Sequence, residues 1–218
     1  MEMEDLKVIR QDFILACQDE DRFIPQPNVL DHAMQFMLDS KIIETDECSG
    51  GYFLDSSVNL KLNGYQLNES GERLQIFIID ENHLEDDDFD NHICTLRAVY
   101  DYQFNRALKT VKAGIQGKLS QQTQLSDPIG LFTNLLQSED GFNQIDVVEI
   151  ILISLTATAA SRQGVITPKS IYFPDDSVHV SRGSEKKELL VVRTLVDLNF
   201  VYQIIASQGN SAPLIIDF

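Results

Sequence analysis

Apolar residues recur at three- and four-residue spacing in some stretches of the chain and at two-residue spacing, or without interruption, in others. Leu6, Ile9, Phe13, Ala16 and Cys17 predict an amphipathic helix over residues 3–18, ended by DEDRFIPQPN. Asn28, with Asp31 three residues on, reads as the N-cap of a second helix. That helix carries Leu30, Ala33, Met34, Met37, Leu38 and Ile42 on one face, which leaves His32 in solvent. After the turn at Cys48–Gly51, Val58, Leu60 and Leu62 alternate with Asn59, Lys61 and Asn63, the pattern of a half-buried strand. Asn68-Glu69-Ser70-Gly71 has the chemistry of a hairpin turn. The returning run, Leu74 to Ile79, is apolar except at Gln75, as suits a central strand covered on both faces.

Residues 80–92 hold seven acids and no Lys or Arg. A calcium loop on Asp86, Asp88 and Asp90 fails, because Asn91 stands where Gly is needed and Arg97 where the bidentate Glu belongs. An exposed acidic loop is expected, with His83 and His92 at the surface. Ile93, Leu96, Tyr100, Phe104, Ala107, Leu108, Val111 and Ile115 predict a long helix to Leu119, with Arg106 and Lys109 pointing into solvent. GKLSQQTQLSDP is the best internal loop, and a short helix follows over residues 129–136. The β-branched stretch Val147–Thr158 predicts one central strand, residues 161–186 loops with a short strand, and Glu188–Thr194 another strand. Asp197 caps a helix that Gly209 ends, and residues 213–218 form a last strand.

This order predicts an α/β (or α+β) fold, a mixed sheet flanked by helices. It is compatible with the α-β-β-β-α-β core of the restriction-endonuclease-like fold. Residues 1–218 read as a single domain, with a helical lead-in over 1–45 and a sheet core with helices over 50–218. The abrupt apolar ending at Phe218 suggests the N-terminal part of a longer chain.

Composition narrows the partners. At 43% hydrophobic and 23% charged the chain is ordinary globular material. Its net charge of −17 repels phosphate backbones, so nucleic acid is not expected to bind the isolated domain over its general surface. Three cysteines without CxxC spacing argue against a disulfide frame or a zinc site. With no leader and no long apolar run, a cytoplasmic protein without membrane contact is expected.

A nuclease of that fold needs an Asp ending one strand and D/E-x-K on the next, the acids holding a divalent metal and the Lys orienting water. The positions that would carry this are Asn63 and Gln75-Ile76-Phe77. Two amides and a phenyl ring replace two acids and a Lys, and an amide lacks the charge that offsets dehydration of magnesium. Literal triplets at Asp5-x-Lys7, Asp39-x-Lys41 and Glu185-x-Lys187 are little more than chance supplies in a chain with 34 acids. No catalytic, metal or cofactor residues are assigned on the main reading. Asp55, Asp80 and Glu149 remain the alternative acids at strand ends, with magnesium as their cofactor.

Asn63-Gly64-Tyr65, then a turn, then Leu74-Gln75-Ile76-Phe77-Ile78-Ile79-Asp80 resembles the N-terminal region of the abortive-infection phage-resistance (AIPR) proteins of bacteria. Arg193-Thr194-Leu195-Val196-Asp197-Leu198 and Pro213-Leu214-Ile215-Ile216-Asp217-Phe218 are similar to that family's later strand-to-helix segment and the strand after it. The resemblance runs from Met3 to Phe218 and implies antiviral defence, but transfers no catalytic residue.

The expectation is therefore a non-catalytic, degenerate endonuclease-like recognition or assembly domain, whose partner is another protein or its own C-terminal region. The alternatives are an active metal-dependent nuclease with relocated carboxylates and an acidic protein-interaction adaptor unrelated to defence.

Overall fold

The computed structural model describes residues 3–82, 84, 93–119, 128–162 and 165–210. Helices α1 (Met3–Cys17) and α2 (Gln26–Asp39) precede an antiparallel meander of β1 (Ser49–Asp55), β2 (Leu60–Leu67) and β3 (Arg73–Ile79). Then come β4 (Cys94–Leu96), α3 (Arg97–Ile115), α4 (Pro128–Gln137), α5 (Glu139–Gln144) and β5 (Val147–Ile153). The chain continues through β6 (Ala157–Arg162), β7 (Val165–Pro168), β8 (Asp176–Arg182), β9 (Glu185–Val196) and α6 (Leu198–Asn210).

Six strands form a mixed sheet in the order β1-β2-β3-β5-β9-β8, and β4, β6 and β7 form a second, smaller one. β3, β5 and β9 run parallel. Parallel neighbours cannot be joined by a tight turn, and the segment containing α3, α4 and α5 makes the crossover from β3 to β5.

The apolar runs are continuous because both faces of the sheet are covered. Leu74, Ile76 and Ile78 of β3, with Val148, Ile150 and Leu152 of β5, pack under Phe104, Val111, Phe132 and Phe142 of α3 to α5. Phe77, Ile79, Ile151 and Ile153 face the other way, onto Phe13 and Ile14 of α1 and Leu30, Met34 and Met37 of α2. The fold is mixed α/β, a mixed sheet flanked by helices. Among the described residues no helix is long and apolar enough to cross a membrane.

Local departures from the expected pattern have physical causes. Helix α2 starts at Gln26, after Pro25 and with Pro27 in its first turn, because proline presets the φ of a helix start. Asn28 therefore sits inside the helix, and its amide donates to the Cys17 carbonyl at 3.0 Å, joining α2 to the end of α1. His32 is half-buried where full solvation was expected: its ring stands edge-on to Phe13 at 4.5 Å and to Phe36 at 5.3 Å. Val58 lies in the turn before β2, where Asn59 takes a positive φ of 60°. Helix α3 begins at Arg97 because Cys94–Leu96 pair with Ala157–Ala159. The run Val147–Thr158 breaks at Ser154–Thr156, where the chain leaves one sheet for the other. Residues 161–186 include two strands, since β8 closes a hairpin with β9, itself longer than expected. Arg106, expected in solvent, is buried, whereas Lys109 is exposed as expected. The acidic residues from Glu85 to Asp90, His83 and His92, residues 120–127 of the internal loop and the run 213–218 lie outside the described residues.

Gly64 marks the closest approach of α2 to the meander. A Cβ there would stand 2.7 Å from Cys48 Sγ and 3.0 Å from Leu30 Cδ2. Phe77, fully buried opposite Gly64 in the ladder, fills the same interface. Phe77→Ala is expected to cost about 3–5 kcal/mol, read as a lower urea midpoint with an unchanged slope.

Candidate functional site

The most polar region of the interior lies at the open end of the β2–β3 hairpin. The ladder pairs Gly64–Leu67 with Leu74–Phe77, and beyond it the strands part. Side chains take over the hydrogen bonds that a continued ladder would make. Asn63 Oδ1 accepts from the Ile79 N–H at 2.9 Å, and Lys61 Nζ donates to the Ile79 carbonyl. Helix α3 holds the parted strand through Thr110, whose hydroxyl oxygen accepts from the Lys61 N–H at 2.9 Å and stands 3.0 Å from the Lys61 carbonyl.

The acids immediately after β3 enter this gap. Lys61, fully buried, meets Glu81 Oε1 at 2.6 Å. The same oxygen accepts from Gln26 Nε2 at 3.0 Å and from the Tyr52 hydroxyl at 3.2 Å. Gln26 in turn accepts from Asn63 Nδ2. Asp80 is fully buried, and its Oδ1 accepts from the Asn82 backbone at 3.2 Å, Asn82 Nδ2 at 2.6 Å and Gln103 Nε2 at 3.2 Å. Its other oxygen lies 3.5 Å from the Ser154 hydroxyl, the start of a buried string that continues through Thr156 to Tyr100 and Thr95.

These surroundings move the titrations apart. Burial pushes the Asp80 carboxyl up, and its neutral hydrogen-bond donors and the Lys61 charge offset that only in part. Burial pulls the Lys61 ammonium down, against the hydrogen bond and charge of Glu81. Burial also acts to raise Glu81, but the hydrogen bond and charge of Lys61, with help from Gln26 and Tyr52, bring it below the usual carboxylate range.

Of the positions singled out in sequence, Asn63 and Asp80 belong to this cluster. Gln75 does not. It lies opposite Gln66, from which it accepts a hydrogen bond, and donates to Glu149 Oε2 at 2.9 Å and to the Ile42 carbonyl at 3.3 Å. Phe77 belongs to the α1–α2 core. Glu149 sits within β5, not at its end, held by Arg73 at 3.1 Å and by the Thr194 hydroxyl at 3.1 Å. Asp55 ends β1 and closes a local turn with Ser57 and Val58. Glu81, Gln26 and Gln103 were not legible as members of a site, and the sequence does not point to Lys61 because Asn59 stands where its triplet Asn59-Leu60-Lys61 would need an acid. The alternation around Lys61 reads as a solvent face, and only the parting of the strands turns that face inward.

Among the described residues no three His, Cys, Asp or Glu side chains are grouped to hold a metal ion. Asp80 and Glu81 are the carboxylates nearest to such a role, but a hard cation needs several free oxygens. Three donors already occupy Glu81 Oε1. Family models, curated proteins and solved structures give no significant match to the chain.

Asp80 gives the cluster a signed pH dependence. Its folded pKa lies above the ordinary 3.8, so the folded state holds its proton more tightly and stability rises as pH falls from the raised value towards 3.8. The unfolding free energy of the wild type minus that of Asp80→Asn is expected to increase across that window, read from urea midpoints at a series of pH values. A flat difference would show that the carboxyl titrates normally.

Proposed function

We propose that the protein is a non-catalytic recognition and assembly domain, endonuclease-like in topology, of a bacterial phage-defence protein of the abortive-infection type. One observation carries the reading. At the open end of the hairpin, where such a nuclease would present its acids to a metal, one oxygen of each carboxylate is already engaged: Glu81 Oε1 by Lys61, Gln26 and Tyr52, Asp80 Oδ1 by neutral donors. The element order supports the topological part, since a helix precedes an antiparallel meander and a helical crossover leads to a strand parallel to β3. The phage-defence part rests on the sequence resemblance. With a net charge of −17, protein surfaces, including further parts of its own polypeptide, suit the domain better as partners than long nucleic acid.

A second reading has its own observation. Lys61, Asp80 and Glu81 share one end of the hairpin, so a lysine and two adjacent acids are present for a nuclease with relocated carboxylates.

Calorimetric titration with magnesium and manganese separates the two, together with a DNA cleavage assay. The proposal expects no micromolar binding and no cleavage. Micromolar manganese binding that is lost in Asp80→Ala, accompanied by cleavage, would establish the nuclease reading instead.

A further inference from the structure

Arg106 on α3 is a buried cation with no counter-ion among the described residues. It is only 9% exposed, its Nη1 donates to Gln103 Oε1 at 3.2 Å, and its buried Nε has no hydrogen-bond partner. Among the described residues no carboxylate forms an ion pair with it; Asp80 and Glu81, the nearby acids, are taken by Gln103 and Asn82 and by Lys61. A desolvated, unpaired charge is costly to keep in a folded protein, and an anion is what offsets it. Nε, enclosed in the structure, and Nη2, which makes no hydrogen bond among the described residues, form the edge of the guanidinium that can take two oxygens of one oxyanion side by side.

The surroundings say which oxyanion. Lys61 is near enough for the Arg106 charge to be among the influences that lower its pKa, but its own charge is met by Glu81, so the guanidinium is the charge left for a ligand. Two half-exposed tyrosines lie nearby, Tyr52 at 50% exposure, close enough for the Arg106 charge to act on it while its hydroxyl donates to Glu81, and Tyr102 at 52%. The Tyr102 ring centroid is 5.7 Å from the Arg106 guanidinium carbon, and its hydroxyl is steadied by Asn59 at 2.8 Å. Half-exposed rings beside an unpaired guanidinium form a stacking surface next to a phosphate fork. The overall charge of −17 works against a long polyanion but little against a compact one whose charge sits on the fork.

We propose that Arg106, with Tyr52 and Tyr102 nearby, binds the phosphate monoester of a nucleotide, with the nucleobase against the tyrosines. The phosphate comes from a free mononucleotide or from the 5′ end of a single strand. The proposal rests on the reading of this hairpin end as a recognition site.

The test is calorimetry on the intact chain in EDTA with inorganic phosphate, AMP, UMP, and a short single strand with and without its 5′ phosphate. AMP and UMP are expected to bind at least about tenfold tighter than inorganic phosphate, and Arg106→Gln to weaken them by about tenfold or more. Arg106→Lys, which keeps the charge and loses the fork, is the second variant, and it is expected to recover less than half of the lost binding energy. Tighter binding of the phosphorylated strand than of AMP names a nucleic-acid end as the source, and weaker binding names the free nucleotide. Absence of binding by every phosphate, equal binding by wild type and Arg106→Gln, or strands that bind as tightly as AMP whether or not they carry the 5′ phosphate would overturn the proposal. Because EDTA removes metals, such a failure leaves the non-catalytic reading untouched. Manganese-dependent cleavage with nucleotide binding intact would sink that reading and not this site.

Discussion

The parting of β2 from β3 is the constraint on which the rest of the site depends. A strand that leaves its ladder exposes backbone donors and acceptors, and burying those unpaired is expensive. Here the debt falls on Ile79, and the side chains of Asn63 and Lys61 settle it. Once Lys61 is drawn inside, it requires an anion, and Glu81 supplies one. Gln26, Tyr52 and Thr110 then tie α2, β1 and α3 to the same point. A local loss of strand pairing thus becomes a junction of five elements, β1, β2, β3, α2 and α3.

The junction is placed by the sheet as a whole. Because β3, β5 and β9 are parallel, their C-terminal ends lie on one side, and the residues that follow them are Asp80, Ser154 and Asp197. Crevices outside the carboxyl ends of parallel strands are where open α/β sheets present their chemistry. Asp80 and Ser154 join one buried polar string. Asp197 instead accepts from the backbone and hydroxyl of Thr158 at 2.8 and 2.6 Å and from the Phe200 N–H at 3.0 Å, anchoring the start of α6. Neighbouring acids at equivalent strand ends therefore do different work: one stands in a mixed polar cluster, the other fixes a helix.

Periodicity and apolar runs determined most of the architecture. The long α3 stripe, the doubly covered run Leu74–Ile79 and the α2 face all follow from hydrophobic spacing, because burial acts on side chains in a way that spacing records directly. The chain also carried, in Asn63 and Gln75, amides at the two hairpin positions where a nuclease of the expected fold would carry acids. Where the elements begin and end was less legible. Pro25 and Pro27 outweighed Asn28 as a start signal for α2, and pairing with β6 turned the expected first turn of α3 into β4.

Tertiary structure alone decided which polar residues meet. Lys61 and Arg106 each sit at positions whose spacing reads as solvent-facing, yet both are buried, because strand divergence and the packing of α3 on β2 are long-range facts with no local signature. Gln75 and Asn63 look like one motif along the chain, but the ladder sets them at different places, Gln75 with Glu149 and Asn63 with Ile79. Sequence determined the layers through the free energy of burying apolar surface. The site was decided by which backbone groups the fold left unpaired, and so by which side chains were drawn in to satisfy them.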